Sequence, residues 1–397
     1  MNKVAVANLS GLRQSSIYPG FVALELVFAG LVGLCLVAMG ADGSAWILGG
    51  IVAGAIAFMG YRAQVDDQAQ PNRTARKIGQ ILVGLNVGFA IAHSHLATLT
   101  SSLPILIGLA LFLLTGSLIV GFGYARLEKT KLLTGMLATT PGNLGVMASI
   151  AADYGSCPSL VSLVQLMRFT VVTSTIPLFA RVSDVPAAHV NLPGLLSPLL
   201  HMDSTYLIWL MLVLAVGNLA ANLGSKLKIP VPALLCPIAI GAVFNSLLSS
   251  VPFLPTIDFA LPTVVNLIGQ ILLGITIGEY WGMNPKLDKG SIVRAIVPVS
   301  LTCLVGLLCA AIAMFVTSWD WLTCLLVTAP GGSPEMIWIA LSLDQNVELV
   351  TIGHVIRLIA INLALPFMVS FASRMETRFL SLKPQLTSLN FVKNTSN

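Results

Sequence analysis

The sequence predicts an all-α polytopic membrane protein made of two similar halves, and three observations carry this prediction. The chain is 56% hydrophobic and only 9% charged, whereas soluble domains carry roughly 25% charged residues. Most of the chain falls into apolar runs of about 20 residues, the length that spans a bilayer as a helix. One apolar stretch with a Pro-Gly turn and a later Arg occurs twice, and its copies lie 189 positions apart.

The two copies of this stretch cover residues 139–177 and 328–366 and align without a gap. In the alignment Arg168 corresponds to Arg357. A shorter motif, IGQIL, also occurs twice and is followed each time by glycines at matching positions. Glycines at this spacing are typical of a packing face between membrane helices. The duplication predicts two structurally related repeats.

The sequence of each half predicts five spanning helices and one segment that is interrupted by a Pro-Gly turn. In the first half the helices are expected at about 21–39, 45–61, 78–93, 103–124 and 160–180, with the broken segment at 132–154. In the second half they are expected at about 206–223, 231–248, 262–281, 292–317 and 349–371, with the broken segment at 321–343. The first helix lacks a small-residue cleavage site, so we expect a membrane anchor and no cleaved signal peptide.

We divide the chain into a first repeat, a polar connector, a second repeat and a cytoplasmic tail, at residues 1–183, 184–204, 205–376 and 377–397. The tail is polar and is expected to fray. Glu25 and Glu279 lie near predicted helix ends, and their carboxyl groups are expected to reach the headgroups.

The distribution of positive charge discriminates between two topologies. If the broken segments cross the membrane fully, the halves run parallel; if they are re-entrant, the halves are inverted. Cytoplasmic loops carry the excess of Lys and Arg. Of the 21 Lys and Arg residues, the re-entrant arrangement places 18 inside and only Arg181 outside, while the crossing arrangement places 14 inside and 5 outside. The sequence therefore predicts ten spanning helices in an inverted repeat, with both termini cytoplasmic. Inverted repeats with broken helices are typical of secondary transporters.

The two Pro-Gly turns and the two arginines predict a ligand site near the middle of the membrane. A half-helix after each turn presents free N–H groups and a positive dipole end, which attract anions. Each Arg lies about ten residues into its helix, and an intramembrane Arg is by default a functional hypothesis. The candidate ligand-binding residues are Thr139, Thr140, Pro141, Gly142, Asn143, Gln165, Arg168, Thr328, Pro330, Gly331, Gly332, Ser333, Glu335, His354 and Arg357.

Structural roles compete with this interpretation at the same residues. Each Arg could instead cap carbonyl groups of its broken segment, or pair with Glu335, without contacting a ligand. Glu335 itself could neutralise Arg357, carry a coupling proton, or cap the half-helix in whose first turn it lies. The sequence leaves these alternatives open.

Several kinds of site are not indicated by the sequence. No CxxC spacing joins the six cysteines, which are expected to be packed free thiols. His93 and His95 would supply two metal ligands without a third, so we predict no metal, no cofactor and no catalytic residue. No phosphate-binding loop or nucleophile elbow is present. The net charge of +5 is a topology signal here, and no nucleic-acid partner is predicted.

The sequence resembles the membrane AbrB family, a set of internally duplicated bacterial inner-membrane proteins. The resemblance rests on TTPGNLGVM and LVQLMR within 139–168, on TAPGGSPEM and GHVIR within 328–357, and on KIPVPALLCPIAIGA at 228–242. It covers nearly the whole chain, although the first turn departs from the family's Pro-Gly-Gly form. The resemblance implies a bacterial inner-membrane location. Some members have been called ammonia monooxygenases, and one is described as a regulator of the aidB gene.

Two hypotheses of function follow. The first is a secondary transporter of a small, anionic solute. The second is a membrane-bound regulator or sensor that affects gene expression without transport. A monooxygenase is third and disfavoured, because five scattered histidines supply no convincing metal site. The expected partners are the lipid bilayer and the solute, and a homodimer is one option for the assembly.

Overall fold

The computed structural model describes residues 2–38, 45–92, 97–142, 144–182, 204–229, 231–249, 259–283 and 289–394. Asn143, both histidines of the His93–His95 pair and nearly all of the predicted connector lie outside these residues. All the regular structure in the described part of the chain is helical, as predicted. Its first helices are α1 (Asn2–Ala38), α2 (Ala45–Gln64), α3 (Arg73–Ile91), α4 (Ala97–Leu127), α5 (Leu132–Thr139), α6 (Leu144–Asp153) and α7 (Pro158–Val182).

The later helices repeat this order of long and short elements. They are α8 (Ser204–Lys226), α9 (Pro232–Ser249), α10 (Thr263–Gly282), α11 (Lys289–Val316), α12 (Trp321–Thr328), α13 (Ser333–Ser342) and α14 (Val347–Asn394). In the described ranges, eight helices are long and apolar enough to cross a membrane, and the apolar part of α9 is shorter. The chain is thus a multi-pass, all-helical membrane protein.

Both segments predicted to be broken consist of two short helices. In the first, α5 ends at Thr139 and α6 starts at Leu144; in the second, α12 ends at Thr328 and α13 starts at Ser333. The span predicted at 21–39 agrees with the apolar part of α1, Gly20–Ala38, although the helix itself already begins at Asn2. The expected fraying of the tail was wrong, since α14 continues to Asn394. Hydropathy marks only the part of a helix that lies in lipid, so polar extensions escape it.

The chain forms two compact units, and each contains parts of both predicted repeats. We call Met1–Leu96, Thr173–Asn284 and Pro334–Glu348 the glycine unit. We call Ala97–Val172, Pro285–Ser333 and Leu349–Asn397 the arginine unit. Because a unit draws on distant stretches of sequence, its packing is determined by contacts between helices far apart in the chain.

Close helix contacts organise the glycine unit. Helix α2 packs on α10, and α3 packs on α9. A Cβ atom at Gly278 would collide with the carbonyl oxygen of Ile51, and one at Gly88 with that of Ile238. Glycine lets the two backbones touch there, as in membrane helix packing generally. The assignment of these glycines to packing is consistent with this geometry.

Helices α3 and α10 cross in antiparallel register within the glycine unit. A Cβ at Gly79 would lie 3.1 Å from the Leu273 nitrogen, and one at Gly269 would lie 3.0 Å from the Leu82 Cβ. Moving forward along one helix therefore means moving backward along the other. Gly79 and Gly269 are matching glycines of the two IGQIL motifs.

Helices α4 and α11 of the arginine unit also cross in antiparallel register. The Glu128 carboxylate at the end of α4 binds Arg294 near the start of α11, with 2.5 Å between Oε2 and Nε. At the other end of the contact, the Cys309 thiol lies 3.6 Å from the Leu109 carbonyl oxygen. Between them, Gly116 of α4 faces Val305 of α11.

Candidate functional site

The first break closes α5 with backbone bonds and anchors it to α4. The Thr140 N–H donates to Met136 O at 3.0 Å, and the Gly142 N–H donates to Thr140 O at 2.9 Å. Pro141 has no N–H and cannot continue the helix. The Thr139 hydroxyl donates to the Ser117 carbonyl of α4 at 2.8 Å. The end of α5 is thus fixed with its last carbonyl groups directed away from its own helix.

Arg168 of α7 caps those carbonyl groups. Its guanidinium donates to Thr139 O, to Thr140 O at 3.4 Å and to the Gln165 Oε1 at 2.9 Å. The Gln165 amide in turn donates to Leu137 O at 2.7 Å. Helix C-termini leave carbonyl groups unpaired and carry a partial negative charge. The Arg168 guanidinium donates to these carbonyl groups and places a positive charge at the negative end of α5.

The second break repeats this arrangement in α12 and α14. The Thr328 hydroxyl donates to Gly306 O of α11 at 3.2 Å. Arg357 donates to Ala329 O, to Gly331 O at 3.0 Å and to the Ser333 hydroxyl at 3.3 Å. Arg357 therefore binds the turn on both sides of Pro330. Its backbone acceptors begin at Ala329, the counterpart of Thr140, whereas those of Arg168 begin at Thr139.

His354 stands beside Arg357 where Gln165 stands beside Arg168. Its Nδ1 lies 2.7 Å from Arg357 Nη2, and its Nε2 lies 3.0 Å from Leu326 O. An arginine N–H can only donate, so Nδ1 must accept. The proton then resides on Nε2, which donates to the carbonyl. The contacts define a neutral imidazole with one tautomer.

The two guanidinium groups are buried positive charges that have no carboxylate partner among the described residues. Both arginines are 2% exposed, and all their hydrogen-bond partners in the described part of the chain are neutral. Both lie in the arginine unit, where the positive charge of Arg168 disfavours that of Arg357. The Nε–H of each is buried without a partner among the described residues. Such a pair is electrostatically incomplete and is suited to an anion.

Comparison with known proteins identifies the family of the chain. Residues 46–373 match the family described as "Transition state regulatory protein AbrB". The chain belongs to the AbrB family. The predicted resemblance is confirmed.

Two curated relatives of this AbrB-family chain are similar over most of their length. "Uncharacterized protein YhjN" of Bacillus subtilis (strain 168) is 26% identical over 365 residues, covering 87% of this chain and 90% of the relative. "Putative regulator AbrB" of Escherichia coli (strain K12) is 27% identical over 346 residues, covering 83% and 90%.

The structure brings together most of the predicted site residues of this AbrB-family member. The arginine unit contains both turns, both arginines, Gln165 and His354. The hydroxyl groups of Thr139, Thr140 and Thr328 donate to carbonyl groups of the protein. The structural role considered for the arginines, capping of the broken segments, is what their contacts show.

Glu335 and Asn143 stand apart from this set. Glu335 belongs to the glycine unit, in the first turn of α13, and its Oε2 has no donor among the described residues. Asn143 is not described. Among the residues that are, no group of three His, Cys, Asp or Glu could hold a metal ion.

Sequence reasoning missed two features. The acceptors of both arginines are backbone carbonyl groups, and these carry no sequence signal. Glu25 and Glu279 do not reach the headgroups as expected, since each is only 1% exposed, and their carboxyl groups interact with each other. A carboxyl inside an apolar run is itself a signal of function, and that signal could have found them.

Proposed function

We propose that this AbrB-family chain is a secondary transporter of a small, anionic solute. One observation carries the proposal: Arg168 and Arg357 are buried positive charges with no described carboxylate partner, and each retains an unbonded N–H. Both lie at breaks in membrane-embedded helices, where transporters hold their substrates. An anion would relieve the repulsion between the guanidinium groups and accept the free N–H groups.

The proposal includes an inverted repeat of five spanning helices and one re-entrant segment per half. Two antiparallel crossings support it. Gly79 faces Gly269 where α3 crosses α10, and Gly116 faces Val305 where α4 crosses α11. These are matching positions of the two halves, 190 and 189 residues apart. Matching helices that cross antiparallel at matching residues are what a two-fold axis in the membrane plane generates.

Hydrogen bonds repeated at one offset support the same repeat. Thr139 donates to Ser117 O and Gly135 O, and Thr328 donates to Gly306 O and Cys324 O. Every atom pair in the second set lies 189 residues after its counterpart. Both broken segments therefore have the same local conformation. The positive φ angles of Gly155 and Asp344, again 189 apart, end α6 and α13 in the same way.

The proposed orientation places both termini in the cytoplasm and the chain in the bacterial inner membrane. The charge distribution supports it, because 18 of the 21 Lys and Arg residues then lie inside. The Glu128–Arg294 ion pair joins the end of α4 to the start of α11. Re-entrant breaks put these two ends on the same face, whereas fully crossing segments would put them on opposite faces.

Ligand-induced thermal stabilisation of the purified full-length protein tests the proposed site. The panel contains small carboxylates, inorganic phosphate and sulfate, with neutral amides of the same carboxylates for comparison. We expect an anion to raise the melting temperature of the wild type but not of Arg357→Gln or Arg168→Gln. Lys226→Gln removes one exposed positive charge of α8 and should respond like the wild type.

Flux of the stabilising anion into proteoliposomes then tests transport. Uptake above that of protein-free vesicles, lost in Arg357→Gln, is the expected result. If folded arginine variants keep the stabilisation, the arginines are braces only. Size measurement on the same preparations gives the oligomeric state, for which a homodimer is one option.

A membrane-bound regulator or sensor is the second candidate, and the names of the family and of one relative favour it. The family description contains "regulatory protein", and the Escherichia coli relative is named a regulator. A sensor would bind the same anion without moving it. Anion-dependent stabilisation combined with no flux would support the sensor over the transporter.

A further inference from the structure

Two glutamates face each other inside the glycine unit. Glu25 lies on α1 and Glu279 near the end of α10, and these helices pack together. Each residue is 1% exposed, and the two carboxyl groups are close enough to interact with each other. The anion site proposed above uses neither residue.

The donors around the pair distinguish its two members. Glu279 Oε2 accepts the backbone N–H of Asn72 at 2.6 Å. Asn72 caps the N-terminus of α3, where the helix dipole favours a negative charge. Both oxygens of Glu25 are buried and have no N–H or O–H donor among the described residues. Glu279 is therefore the member that carries the charge.

A bound proton would remove the repulsion between the two carboxyl groups. Two adjacent buried carboxylates repel each other and lose their hydration, so they do not both ionise. A proton on Glu25 lets that residue donate to Glu279 and leaves one delocalised negative charge, which Asn72 stabilises. We propose that Glu25 and Glu279 form a proton-binding site that holds one proton between the two carboxyl groups.

Within the described part of the chain, no ionisable group of the surrounding elements donates a hydrogen bond to Glu25. The Tyr61 ring stacks on Phe21, and Arg62 donates to the backbone carbonyls of Asp67 and Met283. The charged or titratable residues on the ends of these helices and the loop between α2 and α3 are Tyr61, Arg62, Asp66, Asp67, Arg73, Arg76, Lys77 and Tyr280.

The matching place in the other half packs without a carboxyl group. Glu279 follows Gly278 as Phe89 follows Gly88. Phe89 packs against Phe244 and Phe259 at ring distances of 5.9 and 5.6 Å. One side of the unit thus closes with aromatic rings and the other with a carboxyl pair. Loss of the proton would place two negative charges between α1 and α10.

Infrared spectroscopy of the purified full-length protein in detergent tests the site directly. A protonated carboxyl group gives a C=O stretching band that a carboxylate lacks. We expect such a band in the wild type at neutral pH, and we expect Glu25→Gln and Glu25→Leu to reduce it. Glu25→Gln keeps a donor toward Glu279 and should fold. Glu128→Gln removes a carboxylate that is paired with Arg294 and should leave the band unchanged.

Thermal unfolding over a pH series provides the second readout. The folded wild type holds a proton that the unfolded chain releases near neutral pH, so raising the pH disfavours the folded state. One proton corresponds to about a tenfold change in the folded-to-unfolded ratio per pH unit. Both Glu25 variants should lack this component. An unchanged infrared band, or an unchanged pH dependence, in the folded Glu25 variants would overturn the proposal.

Discussion

The two breaks in the arginine unit share one pattern of hydrogen bonds, but a different residue lies beside each arginine. At the first break Gln165 accepts from Arg168 and donates to Leu137 O. At the second, His354 accepts from Arg357 and bonds to Leu326 O. An amide offers an acceptor and a donor at any pH, whereas an imidazole does so only when it is neutral. The position held by Gln165 and His354 thus requires one hydrogen-bond acceptor and one donor, and the shape of the side chain matters less.

The largest expected effect comes from removing the arginines. Arg357 donates to four acceptors of the described chain and Arg168 to three, so Arg357→Gln should destabilise more than Arg168→Gln. Hydrogen bonds to charged groups contribute about 1.5–3 kcal/mol each. Because removing a buried charge also removes its desolvation penalty, which is several kcal/mol, we expect net losses of about 2–4 kcal/mol. Denaturant titration of the purified variants measures them.

The double variant sharpens the comparison. Each single substitution also removes the repulsion between the two guanidinium groups, which offsets part of its cost. The double variant gains that relief only once. Its loss should therefore exceed the sum of the single losses, by about 0.5–3 kcal/mol, the usual range for coupled residues. Strict additivity would mean that the two charges do not interact.

The second expected effect concerns the helix that supports each break. Position 117 is Ser and its counterpart 306 is Gly. A Cβ at Gly306 would lie 2.8 Å from the Cδ of Pro330, which is closer than real contacts allow. Gly306→Ser should cost about 1–3 kcal/mol through overpacking. Ser117→Gly serves as the matched control, since it only deletes atoms, and should cost less. Equal losses in the same unfolding assay would contradict this explanation.

The third effect is a test of equivalence between the breaks. His354→Gln places the first-half residue in the second half, and its amide can accept from Arg357 and donate to Leu326 O. We expect a change of less than about 1 kcal/mol. His354→Leu leaves a buried carbonyl and an arginine N–H unpaired, which costs about 1–3 kcal/mol for each group. A glutamine variant as unstable as the leucine variant would show that the imidazole ring itself is required.

The comparison also explains which features were predictable from sequence. The breaks were predictable because proline and glycine act locally, and the position of each arginine follows from a gap-free repeat. The acceptors of Arg168 and Arg357 were not, because every residue carries the same carbonyl group. The meeting of Glu25 with Glu279 was not, because it depends on which helix packs against α1, and helical periodicity does not specify the partner.

The smallest effect is expected at the Glu128–Arg294 pair, which has no counterpart in the other half because position 317, which matches Glu128, is Thr. The Arg294 guanidinium holds the pKa of the Glu128 carboxyl below its ordinary value through a hydrogen bond. A lowered pKa stabilises the folded state above the ordinary carboxyl range, and this contribution is lost as the pH falls through the folded-state pKa. Since the Arg294 side chain is 40% exposed, the contribution should be only about 0.2–1 kcal/mol.

Glu128→Gln should remove that acid-dependent step, measured as the difference in unfolding free energy between neutral and acidic pH. Thr317→Ala, the matched control, should leave the step in place. An equal acid dependence in Glu128→Gln and the wild type would assign the step to other carboxyl groups.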